Sequence, residues 1–204
     1  MRNPSTRGLL GARDLALVAV FVGIVAAFGL VPAFQPTGLA VPITLQSMGV
    51  MLAGSILGAR RGGLSLLVFV LLVAAGLPLL AGQVGGLGMF TTPRAGFLVG
   101  FPVAAFVTGL VASAAARPGR EYDVRWGFLA NVLGGVVALY ACGLLGVMRF
   151  AHLPVDEAFT ALWVFVPGDL VKAAVATVVA AGVHRGYPGL LVRERDEQPE
   201  PAAV

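Results

Sequence analysis

The sequence predicts an all-α integral membrane protein of six transmembrane helices, and three observations carry that expectation. The 204 residues are 58% hydrophobic and 12% charged, against about 45–50% and about 25% in soluble domains. A soluble surface needs polar side chains to cover it, so the apolar surplus belongs in a bilayer. The apolar residues gather into six runs near the length of about 20 residues that a crossing takes. The 28 glycines suit helices that pack closely through small residues in lipid.

The first run, 13–31, follows a basic N-terminus and resembles a signal peptide in charge order. Its apolar stretch of roughly 20 residues exceeds the 7–15 of a signal core, so it reads as a retained first span. The second and third, 42–59 and 62–80, are separated by "ARRGG", read as a tight basic hairpin, and Pro78 with the glycines after it closes the third. The fourth, fifth and sixth cover 95–115, 126–148 and 158–183. Residues 1–184 therefore form one six-helix domain with no internal repeat. Residues 185–204, with their charged, Pro-rich "RERDEQPEPAAV", form a cytoplasmic tail expected to be disordered.

Direction follows from the loop arginines. One side holds Arg2, Arg7, Arg13, Arg60, Arg61, Arg117, Arg120, Arg125, Arg185, Arg193 and Arg195, eleven against the two, Arg94 and Arg149, of the other. Both termini are thus expected in the cytoplasm. The net charge of +4 does not point to nucleic acid, because no segment is both basic and solvated enough to bind it. Cys142 is the only cysteine, which excludes disulfides within the chain and multi-cysteine metal sites; it reads as small packing filler.

Three outer loops stand out: "PAFQPTGLAVPITLQ", "AGQVGGLGMFTTPRAG" and "RFAHLPVDE". The second carries Gly82, Gly85, Gly86 and Gly88, which suits either a backbone that approaches a ligand or a plain flexible connector.

The sixth span contains "FVPGDLVKAAVATVV", with Asp169 and the only lysine, Lys172, sharing a helix face at i and i+3. Each costs roughly 2.5–3.5 kcal/mol to place mid-membrane, and such residues usually mark a site facing the bundle interior. Pro167 and Gly168 are expected to break the helix just before, with Asp169 free to cap the new start. The alternative is an ion pair that only fixes packing, although apolar residues could fill that role without loss. Asn131 in the fifth span reads equally as a ligand contact or a helix–helix hydrogen bond. No phosphate-binding loop, H-E-x-x-H or G-x-S-x-G motif occurs, so the chain reads as a non-enzyme with no cofactor and no metal site.

"VPITLQSMGVMLAGSILGARRGG…AGQVGGLGMFTTPRAGFLVGF" and "FVPGDLVKAAVA" resemble the BioY family from about Leu15 to Val183, four motifs in the family's order. These are the biotin-specific substrate-binding (S) components of energy-coupling factor (ECF) transporters. The resemblance implies six helices of the S-component fold and a biotin pocket facing outward from a prokaryotic plasma membrane. It also implies three partners, a transmembrane coupling subunit and two ATPase subunits, and leaves a homo-oligomer open. Asp169 and Lys172 match the family's acid and lysine that contact biotin. Thr44 and Gln46 match the loop folded over the pocket, and Gly85 and Gly86 match the glycine-rich loop. Where some members carry an asparagine that reaches biotin, Gln83 is the only amide here. Arg94 stands where the family often reads "GPTGGY", and either attracts a carboxylate or anchors the interface. Ala12, Ala16, Ala19, Gly23 and Ala27 give small-xxx-small spacing, which in the family docks on the coupling subunit and otherwise packs inside the bundle. An S component for another vitamin, an intramembrane enzyme and a structural subunit are the competing classes.

Overall fold

The computed structural model describes residues 11–35, 40–116, 122–187 and 190–191. Most of the tail and the first ten residues, including Arg2, Arg7, Arg193 and Arg195, lie outside the described residues. The fold is all-helical: among the described residues there is no strand, only two isolated antiparallel bridges, Phe34 with Ile43 and Leu80 with Val84.

Helices α1 (Ala12–Gly29), α2 (Gln46–Leu57), α3 (Ala59–Ala74) and α4 (Ala95–Ala115) come first. The fifth helical rod is continuous from Val124 to Ala151 but changes pitch. It runs as α5 (Val124–Val132), a π-helical segment (Leu133–Ala138) and α6 (Leu139–Ala151). A short α7 (Val155–Leu162) precedes α8 (Val166–Gly186). Four of these rods, Ala12–Gly29, Ala95–Ala115, Val124–Ala151 and Val166–Gly186, are long and apolar enough to cross a membrane.

Several expectations need correction. The turn between α2 and α3 is not "ARRGG". It is Gly58 alone, at φ +83°, a conformation glycine takes without strain, so Arg60 and Arg61 already belong to the first turn of α3. The third helix stops at Ala74 instead of 80, and residues 77–80 are irregular, with Leu79 N–H bonded to the Leu77 carbonyl at 2.8 Å. The stretch read as one span over 158–183 is two helices with a turn at Trp163–Phe165, because Pro167 belongs in a first helical turn, where no N–H is needed. Asp169 does not cap α8. The capping position is Phe165, with no side-chain hydrogen bond, and the carboxylate points elsewhere.

The core lies where α2 and α4 cross, around Val50, Met51, Leu57, Leu66, Phe69, Val73 and Leu98. Small residues set the spacing. A methyl group on Gly54 would meet the carbonyl of Ala105 on α4, and one on Gly96 would meet the backbone of Cys142 and Gly146 on α6. Cys142 is therefore part of a close α4–α6 seam, as lipid-embedded packing favours. At one end Arg61 pairs with Asp14, Nε to Oδ1 at 2.9 Å, tying α3 to α1.

Candidate ligand-binding site

The break before α8 sets two charged side chains at the mouth of the bundle. Asp169 lies in the first turn of α8, where the helix dipole favours an anion. The partners of Asp169 and Lys172 come from three other segments, the first loop, α2 and α6. Lys172 Nζ donates to Asp169 Oδ1 at 2.7 Å, to Ser47 Oγ at 3.1 Å and to the Thr44 carbonyl at 2.7 Å. Ser47 Oγ donates to Asp169 Oδ1 at 3.1 Å, and Tyr140 OH to Oδ2 at 2.7 Å. Asp169 is 4% exposed. The carboxylate is thus buried and paired, with three donors on its two oxygens, the condition under which charge survives in a low-dielectric interior.

Above the pair lies a cavity of about 80 Å³ with an apolar wall of Val41, Pro42, Phe97, Leu98, Phe101, Leu139 and Phe165. Its polar lining is Thr44, Gln46, Ser47, Arg94, Asp169 and Lys172. By the same measure one water needs about 10–15 Å³, so the cavity has room for several waters but not for a bicyclic vitamin without movement. A second, outer cavity of about 310 Å³ is bounded by residues 29–33, Gln35, Gly82 and Gln83. The two share Pro42, Ala81 and Arg94, so they meet beneath the first loop. That loop is folded back on itself by the reciprocal Phe34–Ile43 backbone bonds of 3.0 and 2.8 Å.

The residues singled out in the sequence fall into distinct places. Asp169, Lys172, Thr44, Gln46 and Arg94 come together around the inner cavity. Gln46 is already committed: Nε2 donates to the carbonyls of Val25 and Leu79 at 3.3 and 3.0 Å, and Oε1 accepts from Ala81 N–H at 3.1 Å. It clasps the end of α1 and the glycine-rich loop to α2. Arg94 Nη1 makes one long contact, 3.5 Å, with the Ala81 carbonyl.

Gln83 lines only the outer cavity and holds φ +57°. Gly85 and Gly86 are not among the described cavity-lining residues. A methyl on Gly85 would strike the Leu77 carbonyl, and Gly86 has φ +90°, so the fold itself explains both glycines. Asn131 is away from the cavity: Oδ1 accepts from Ser55 Oγ at 2.6 Å and Nδ2 donates to Thr177 Oγ1 at 3.0 Å. It is a hydrogen-bonded pin between α2, α5 and α8. Ala12, Ala16, Ala19, Gly23 and Ala27 are all exposed along one side of α1, with nothing within 4 Å of a methyl placed on Gly23. Packing inside the bundle is therefore excluded for that stripe.

Two residues at the site, Ser47 and Tyr140, were not singled out in the sequence. Ser47 directly follows the matched "PITLQ" loop and was within reach. Tyr140 was hidden by the π-helical segment, which shifts its phase relative to Asn131.

Fold and site together describe a multi-pass helical membrane protein that holds a small, mainly apolar cavity over one buried acid–lysine pair. The model of the BioY family matches residues 1–189. The chain is 45% identical over 186 residues to the biotin transporter BioY of Rhizobium etli, covering 90% of this chain and 100% of that protein. It is 44% identical over 189 residues to the biotin transporter BioY of Rhodobacter capsulatus, covering 88% and 97%. The chain belongs to the BioY family. Among solved structures, the S-component for biotin from an ECF-type ABC transporter has the same fold, with a TM-score of 0.79 at 24% identity over 87% of this chain and 95% of that one. FolT bound with folic acid is a more distant match, with a TM-score of 0.56 at 18% identity over 87% and 95%.

Proposed function

We propose that this chain is the biotin-binding S component of an energy-coupling factor transporter in a prokaryotic plasma membrane. Six membrane-crossing segments with both termini in the cytoplasm open the cavity outward, as the eleven-to-two arginine asymmetry supports. The observation that carries the reading is the buried Asp169–Lys172 pair on the cavity wall. Biotin is a compact apolar bicycle apart from a cyclic urea with two N–H donors and one carbonyl, and its tail ends in a carboxylate. Asp169 accepts from a urea N–H and Lys172 donates to the urea oxygen.

Every Lys172 donor is engaged within the protein, so contact with the urea requires release of Thr44 or Ser47. Release of the Thr44 carbonyl frees the first loop at its inner end and enlarges the cavity. The tail then extends toward the outer cavity, where Arg94 meets the carboxylate and Gln83 lies alongside.

Biotin is cargo, not a cofactor, and the chain catalyses no reaction. The exposed small-residue stripe on α1 docks on a transmembrane coupling subunit, which links the chain to two ATPase subunits. Titration calorimetry of the chain purified in detergent tests the reading, with biotin, thiamine and riboflavin in turn. Near-stoichiometric heat with biotin alone is expected. Heat with another vitamin alone would overturn the substrate, and no heat with any would return the ion pair to a packing role.

A further inference from the structure

The fifth helical rod does something a regular helix could not. Asn131 and Tyr140 both bond to the same face of α8: Asn131 Nδ2 to Thr177 Oγ1 and the Ala173 carbonyl, Tyr140 OH to Asp169 Oδ2. Residues 169, 173 and 177 lie one above another at i, i+4 and i+8. An α-helix turns by about 100° per residue, so the nine steps from 131 to 140 would leave the two side chains about 180° apart. The π-helical Leu133–Ala138 absorbs one extra residue and takes roughly 100° out of that angle, which lets both face α8.

The consequence falls on Asp169. A carboxylate offers about four lone-pair sites. Oδ1 accepts from Lys172 and Ser47, and Oδ2 accepts from Tyr140 alone among the described residues. One acceptor position is left, on Oδ2. Tyr140 does not line the cavity. It stands behind the carboxylate, with its ring held edge-on to Phe97 at 6.4 Å between centroids.

We propose that Tyr140, delivered by the π-helical segment, is a positioning residue that holds Asp169 so that the free lone pair of Oδ2 receives one urea N–H of the ligand. This deepens the biotin reading above and rests on it.

The test uses the full chain and its Tyr140→Phe variant in detergent, titrated with biotin and with the two biotins methylated on one urea nitrogen each. The variant keeps the ring and its contact with Phe97, and its melting temperature without biotin checks the fold. Tyr140→Phe is expected to weaken biotin about tenfold, the scale of one hydrogen bond. For one of the two methylated biotins, the one that has lost the N–H aimed at Oδ2, the substitution should weaken binding no further. Equal losses for all three ligands would mean a structural role and overturn the inference. So would wild-type biotin affinity in the variant, and either result leaves biotin capture standing. No biotin binding by the wild-type chain would overturn both.

Discussion

Replacing Lys172 by methionine keeps the length of the side chain and removes three donations: to Asp169 Oδ1 at 2.7 Å, to Ser47 Oγ at 3.1 Å and to the Thr44 carbonyl at 2.7 Å. Removing one partner of a buried ion pair costs about 3–5 kcal/mol, because the other charge remains buried without its counterion. Two features favour the lower end. Ser47 and Tyr140 still donate to the carboxylate, and the Lys172 side chain keeps 12% of its surface exposed. A loss of about 3 kcal/mol corresponds to a fall of roughly 6–12 °C in melting temperature for a chain of this size.

Biotin should bind roughly 10–150-fold more weakly, the effect of losing a charged donor worth about 1.5–3 kcal/mol. Stability and binding separate in the double variant Asp169→Leu/Lys172→Met. Removing both charges recovers much of the stability but should leave no measurable biotin affinity. Thermal unfolding in detergent and calorimetry on the same samples read both quantities. Wild-type affinity in the double variant would refute the reasoning and reduce the pair to packing.

Three shorter expectations follow from the same geometry. Gly23→Leu should leave biotin affinity unchanged and abolish co-purification with a coupling subunit, since Gly23 is exposed and nothing lies within 4 Å of a methyl placed on it; intact co-purification would move the docking face elsewhere. Asn131→Leu should lower the melting temperature by the equivalent of about 1–3 kcal/mol, because Ser55 Oγ loses its buried partner. Its biotin affinity should stay within about twofold, the additivity expected of a distant site, and calorimetry checks it. Gln46→Ala leaves the carbonyls of Val25 and Leu79 and the N–H of Ala81 without their partner; proteolysis within 76–86 should accelerate, and an unchanged cleavage rate would show that the clasp is dispensable.

How much of this was legible follows from what each residue's neighbours are. Asp169 and Lys172 could be found because a charge in an apolar run is conspicuous wherever its partners lie. The fourth span could be bounded at 95–115 because an arginine flanks it on each side, Arg94 and Arg117. The glycines of the outer loop misled for a physical reason. A glycine needed for φ +90°, as at Gly86, and one needed to clear a carbonyl, as at Gly85, look the same in sequence as one needed to admit a ligand. Tyr140 was illegible because its direction depends on a change of helical pitch that no residue pattern between Leu133 and Ala138 announces. Gln46, expected from the resemblance to belong to the loop over the pocket, is instead the first residue of α2. The three backbone groups that occupy its amide come from segments 21 to 35 residues away, which sequence spacing does not reveal.

The shortest central helix explains why the polar residues can be where they are. Twelve residues of α2 reach about 18 Å, well short of a hydrocarbon core of about 30 Å. Every one of them except Met48 is buried, so α1, α3, α4, α5 and α8 stand between α2 and the lipid. Protein, not hydrocarbon, therefore meets both its ends. Gln46, Ser47 and Ser55 consequently find partners on neighbouring segments: the outer loop, Asp169 and Asn131. Helix α8 shows the opposite division. Val171, Val175, Val178 and Val179 face outward, while Asp169 and Thr177 face α2 and α5. The apolar composition that identifies the chain as a membrane protein is thus concentrated on outer faces. The polar groups Ser47, Asp169 and Lys172 of the candidate site sit on, or point toward, α2, the helix that the others enclose.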